Sequence, residues 1–218
     1  MAFDYKKEYP ALYKAKAQPC IVEVPTMVFA AVEGMGDPNE ENGSYQLAIQ
    51  LLYALSYSIR MSAKSGWEIP GYFEYVVPPL EGFWWMADGS PGVDYGNKSG
   101  FCWLSCIRLP DFVTEEIFQQ AKEEAARKKG LDCSPLRFLR IEEGFCVQCL
   151  HTGPYDTEPE SLAKMDAYAE EQGWQRDLSS ARRHHEIYLS DPRRTAPEKL
   201  KTILRTPYEN KAAENEIL

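Results

Sequence analysis

Ile21–Pro38 reads IVEVPTMVFAAVEGMGDP and Phe138–Tyr155 reads FLRIEEGFCVQCLHTGPY. Laid over one another without a gap, the two stretches share punctuation more than identity. Each has a short apolar strand, a turn at Pro25-Thr26 or at Glu142-Glu143-Gly144, a longer strand, and a loop at Gly36 or Gly153. Each reads as a β-hairpin. A helix follows in both copies. Leu47, Leu51, Leu55 and Ile59 fall at helical spacing in the first, and Leu162, Met165 and Ala169 in the second, where Thr157-Glu158-Pro159-Glu160 reads as a capping box. Gly66-Trp67 and Gly173-Trp174 close the helices before further strands.

Between the copies, Thr114 to Lys129 has acidic residues in its first turn, Arg127-Lys128-Lys129 in its last and Gly130 as the stop, the pattern of a well-formed helix. The expected fold is α+β: duplicated strand-helix-strand-strand repeats with pseudo-twofold symmetry, and antiparallel sheets around a central ligand cleft. Repeat 1 spans about 20–108, the connecting helix 114–129 and repeat 2 about 136–208, so that 1–208 forms a single domain and 209–218 a frayed tail. The Lys residues of the N-terminal MAFDYKKEYPALYKAKAQ read as a solvated lead-in, and Ala87–Gly100 as a turn-rich loop.

The totals limit the function classes. A net charge of -9 disfavours direct binding to phosphate backbones or anionic membranes, and the arginines of Ala181–Arg183 and Arg193-Arg194 read as solvated. No apolar run approaches a membrane span and no secretory signal opens the chain, so the expected compartment is the cytoplasm. Cys146 and Cys149 have a metal-like gap, but on a strand residues three apart point to opposite faces. Cys102 and Cys106 would stand about 13 Å apart at ~3.3 Å per residue, too far for a disulfide. The six cysteines therefore read as reduced hydrophobes, with no metal and no cofactor expected.

His184–Pro192, HHEIYLSDP, is a strand with an apolar face of Ile187 and Leu189 and a polar face of His184, Glu186, Tyr188 and Ser190. Nearby in composition are Phe83, Trp84 and Trp85, then Phe101 and Trp103, then Tyr155 just past a strand end. In an extended segment Trp84 and Trp85 point opposite ways, so one of them must face a cleft, a partner or solvent. Trp67 and Trp174 read as core anchors, and His151 and His185 as hydrogen-bonded structural residues.

On PLEGFWW (Pro79–Trp85), HTGPY (His151–Tyr155) and above all HHEIYLSDPRRTAPEKLKTILRTPY (His184–Tyr208), the chain resembles the GyrI-like small-molecule-binding proteins, which share the effector-binding domain of multidrug-sensing regulators. The resemblance covers roughly Phe3 to Tyr208. It implies an open pocket between the repeats for flat aromatic, often cationic, compounds. In regulators of this superfamily a strand Glu meets the drug's charge, and Glu186 is the matching position. Some stand-alone members hydrolyse the cyclopropane of DNA-alkylating cyclopropanoids, and no helix-turn-helix is recognisable here.

A carboxylate walled by indoles would have its pKa raised by desolvation and would suit a general base. Glu186 is thus the expected base and Tyr155 the donor to a developing phenolate, with Tyr188 as rival donor. Trp84, Trp85, Trp103, Phe145 and Tyr188 are the expected ligand contacts. Should Glu186 fail as the base, His185 or Glu74 would be next. The expected partners are small aromatic or cationic molecules. The alternative is a non-catalytic binder that sequesters drugs or inhibits a protein partner such as gyrase.

Overall fold

The computed structural model describes residues 2–90 and 92–211 of the 218-residue chain. Two short helices, α1 (Tyr5–Glu8) and α2 (Pro10–Tyr13), come first. Repeat 1 then runs β1 (Cys20–Val24), β2 (Met27–Met35), α3 (Ser44–Arg60), β3 (Leu80–Met86) and β4 (Phe101–Arg108). After α4 (Glu115–Lys129), repeat 2 runs β5 (Arg137–Ile141), β6 (Gly144–Thr152), α5 (Glu158–Glu171), β7 (Trp174–Arg176), β8 (His184–Tyr188) and β9 (Lys201–Asn210).

The strands form one antiparallel sheet in the order β1-β6-β9-β8-β3-β4-β2-β5, with β7 added on β9. Exchanging each strand for its counterpart in the other repeat reverses this order, which is the signature of the pseudo-twofold. The axis falls between β3 and β8, the one place where the repeats meet through equivalent strands.

The expected hairpins are not formed. β1 pairs with β6 and β2 with β5, in one unbroken register from Cys20↔Gln148 through Val24↔Gly144 and Met27↔Ile141 to Ala31↔Arg137. Residues 20–35 therefore act as one long bent strand laid antiparallel against its counterpart, 137–152. Pro25 has no amide hydrogen to continue the ladder, and Gly144 sits at φ +62, so both strands bend where the local sequence suggests a hairpin turn.

The apolar stripes bury as their spacing requires: Leu51, Leu55 and Ile59 of α3 in the main core, and Met165 and Ala169 of α5 in a smaller one, while Leu47 stays exposed. Cys146 joins the first core and Cys149 the second, on the opposite side of the sheet. α4 starts at Thr114, whose hydroxyl accepts from the Ile117 amide, and stops at Gly130, φ +65.

Other expectations change. In the N-terminal segment Lys7, Lys14 and Lys16 are exposed, but the segment itself packs on the body: Tyr5, Leu12 and Tyr13 are buried, Arg108 lies over the rings of Tyr5 and Tyr9, and Arg205 donates to the Leu12 carbonyl. Arg182 is not solvated either, since it donates to the carbonyls of Glu143 and Phe145 and pairs with Asp177. Glu209 and Asn210 continue β9 against β7, and the remainder of the expected tail, 212–218, lies outside the described residues.

Candidate functional site in the cleft between the repeats

A cleft of about 930 Å³ lies over the β3–β8 junction. One wall is α3, which presents Tyr45, Ile49 and Tyr53 at four-residue spacing. The other wall is Pro154, Tyr155 and Glu158, at the start of α5. Trp84 of β3 and Glu186 and Tyr188 of β8 form the floor, and Val93, Tyr95 and Lys98 reach in from the β3–β4 connection.

Glu186 is held in place on this floor. Tyr188 donates to its Oε2 at 2.8 Å, and Trp84 Nε1 donates to the Tyr188 hydroxyl at 2.9 Å. His184 Nε2 stands 3.4 Å from Oε1, while its Nδ1 meets Thr206 Oγ1 at 3.0 Å. Gly82 lies opposite Glu186 in the ladder, and a Cβ there would come 2.8 Å from Trp84 Nε1, so the chain of contacts needs glycine at this point. Glu186 is only 5% exposed and lines the cleft.

Its neighbour is a second buried carboxyl, Glu158. Tyr95 donates to Glu158 Oε2 at 2.9 Å, while Oε1 is buried with no donor. The Glu186 carboxyl lies within hydrogen-bonding reach of Glu158, so a proton held between the two satisfies both. Burial first, and the charge of Glu186 second, push Glu158 well above the ordinary carboxyl range. Glu158 thus carries the proton.

The capping box does not form: Thr157 makes no cap bond to the helix, and its hydroxyl is taken up by the Pro154 carbonyl at 2.8 Å and by His151. Glu158 is turned into the cleft instead. Its sequence signal, an acidic residue at a helix start, was indistinguishable from ordinary capping.

Tyr155 lines the cleft with its ring edge-on to Tyr188, centroids 5.9 Å apart. Burial, with the charges of Glu186 and Glu158, pushes its hydroxyl up to about 12, so it remains a proton donor. That hydroxyl takes no hydrogen bond from the described residues. Tyr188, the rival donor, already spends its hydrogen on Glu186.

The remaining expected contacts separate. Trp84 faces the cleft beneath Tyr45, centroids 5.5 Å apart. Trp85 points the other way, its ring covered by Arg183 at 3.4 Å. Trp103 is a second layer: it is buried under Tyr45 and lies across Gly34, where a Cβ would come 2.3 Å from its ring. Phe145 is 45% exposed and packs on Trp174, away from the cleft.

Glu74 is exposed and lies outside the cleft. His151 pins the loop before α5 through Ser161 Oγ at 2.9 Å. His185 faces away from the cleft, fully buried between Glu143 Oε2 at 2.9 Å and Glu81 Oε2 at 3.0 Å. Arg205 Nη1 lies 3.4 Å from Glu143, and the Tyr13 hydroxyl donates to Glu81 at 3.2 Å, so the N-terminal segment seals this cluster.

This duplicated sheet with its two-carboxyl cleft can be placed among known proteins. The family model for the GyrI-like small molecule binding domain matches residues 17–209. The chain belongs to the GyrI-like family. A hydrolase from Listeria innocua is 44% identical to it, with 95% of this chain and 100% of that one covered at a TM-score of 0.86. An uncharacterized conserved protein from Listeria innocua is 46% identical over the same shares at a TM-score of 0.88. The C-terminal domain of EcmrR, at 16% identity and a TM-score of 0.52 over 88% of this chain and 98% of that one, shares the GyrI-like fold. The comparison with curated proteins finds no match. Among the described residues, no helix is long and apolar enough to cross a membrane, and no group of His, Cys, Asp and Glu is placed to hold a metal ion.

Proposed function

We propose that this GyrI-like protein binds planar aromatic compounds, cationic ones among them, and hydrolyses cyclopropanoid genotoxins in the cytoplasm as a detoxifying step. The observation that carries the reading is the Glu158–Glu186 pair at the floor of a ring-walled cleft. Trp84, Tyr45 and Tyr155 offer ring surfaces to a flat ligand. With the proton on Glu158, Glu186 carries the charge and takes a proton from water. The water oxygen bonds to the strained cyclopropane carbon, and the breaking C–C bond sends its electron pair through the conjugated dienone to the carbonyl oxygen. Tyr155 donates to that oxygen as it becomes a phenolate. Two solved structures of a hydrolase from Listeria innocua, each 44% identical to this chain, support a hydrolytic reading.

The second reading is a non-catalytic binder that sequesters drugs or inhibits a protein partner. What favours it is that Glu186 is fixed by the Tyr188 hydroxyl on Oε2, with His184 Nε2 3.4 Å from Oε1, as suits a fixed receptor for a positive charge. Incubation with a cyclopropapyrroloindole followed by mass analysis separates the two. A product heavier by one water supports hydrolysis, and recovery of intact compound leaves the binder.

A further inference from the structure

The cleft holds two adjacent buried carboxyls, Glu158 and Glu186, and among the described residues neither is ion-paired with a lysine or arginine. The groups that meet the pair are Tyr95 from the β3–β4 connection, Tyr155 from the turn before α5, Tyr45 from α3, His184 and Tyr188 from β8, and Thr202 from β9. The lysines and arginine that line the cleft are Lys6, Lys98 and Arg193, of which Lys98 is paired with Asp156 at 2.7 Å and Arg193 with Asp191 at 3.0 Å. Two carboxylates this close and this buried cannot both stay ionised without a positive charge beside each, so the empty cleft keeps a proton.

We infer that the cleft selects compact planar aromatic dications, the second positive charge taking the place of the proton held between Glu158 and Glu186. The inference rests on the ligand-binding part of the reading above and adds to it a ligand class and a proton balance. A monocation neutralises Glu186 and leaves the Glu158 proton where it is. A dication with side-by-side charges meets both carboxylates, and the displaced proton goes to the buffer. Release of one proton makes dication affinity rise about tenfold per pH unit over the range in which the free pair stays protonated.

The test uses fixed-charge probes, so that no proton comes from the ligand: diquat, a bipyridinium with adjacent quaternary nitrogens, and N-methylquinolinium, a planar monocation. Titration calorimetry of the full chain in two buffers of different ionisation enthalpy counts protons. The expected result is release of about one proton with diquat and none with N-methylquinolinium, together with the pH slope for diquat alone. Glu158→Gln, which cannot give up a proton, should abolish the release and weaken diquat about tenfold or more relative to the monocation. Diquat binding without proton release, or with an unchanged release in Glu158→Gln, overturns the inference and leaves the binding reading intact. Failure of both probes to bind overturns the cationic-ligand reading and this inference with it. The wild-type proton count and pH slope decide the matter even if Glu158→Gln does not fold.

Discussion

Gly82 and Glu186 face one another across the β3–β8 ladder, where the two repeats meet, and the missing Cβ of the one makes room for the contacts that hold the other. A methyl at position 82 would meet Trp84 Nε1 at 2.8 Å and the Tyr188 hydroxyl at 3.1 Å. Gly82→Ala should therefore push Tyr188 off Glu186 and cost about 1–3 kcal/mol of stability as an overpacked site. Chemical denaturation would measure the loss, and tryptophan fluorescence would report the disturbed Trp84.

Tyr188→Phe probes the same contacts from the other side. It removes the donor to Glu186 Oε2 and leaves the buried Trp84 N–H without its acceptor. The orphaned indole N–H should cost about 1–3 kcal/mol, and aromatic-ligand affinity should fall as Glu186 loses its fixed position. Equal stability of the variant and the wild type would show that the Trp84–Tyr188 bond is not made in solution.

The two tryptophans of β3 should behave differently. Trp84→Ala removes a cleft wall and should weaken planar ligands by on the order of tenfold, whereas Trp85→Ala should leave ligand affinity unchanged, because its ring lies beneath Arg183 on the other face. Fluorescence titration with a planar dye compares them. Matching losses in both would contradict the assigned faces.

The cluster behind the cleft sets a pH dependence. Burial opposes charge on His185, but Glu143 and Glu81 overcome it and hold the pKa above its ordinary value of 6.5. The folded state thus prefers the protonated ring. The stability this contributes is complete below pH 6.5 and is lost as pH rises through the raised folded value. Thermal melting should fall over that interval. His185→Gln should remove this contribution and cost about 3–5 kcal/mol, since it leaves Glu81 buried without a cation and Glu143 with Arg205 alone. A wild-type melting temperature that rises from pH 6.5 upward would contradict the assignment.

What could be read in advance was whatever depends on local spacing. The repeat, the helix stops, the apolar stripes and the polar face of β8 all follow from periodicity and punctuation. The pairing of β1 with β6 could not be read, because Pro25-Thr26 looks the same whether a strand folds back or bends and continues. Glu158 was hidden for a similar reason: an acidic residue at a helix start usually meets its own backbone amides, and only tertiary packing turns this one toward Glu186. Tyr45, Ile49 and Tyr53 form a second, half-buried stripe on α3 beside the leucine stripe, and the leucines alone account for the helix so fully that the second stripe carries no signal of its own. Phe145, expected in the cleft, is sent outward by strand alternation and packs on Trp174.

The central claim, that Glu186 activates water while its proton-bearing neighbour Glu158 stays neutral, is tested most directly by single-turnover hydrolysis of a cyclopropapyrroloindole by wild type and Glu186→Gln, once circular dichroism has shown both to be folded. Gln keeps the size and the hydrogen-bonding reach but cannot accept the proton. The expected result is ring-opened, hydrated product from wild type and a rate lower by on the order of 10²-fold or more in the variant, with substrate binding reduced far less. Wild type that yields no hydrated product, or Glu186→Gln that turns over at the wild-type rate, would contradict it.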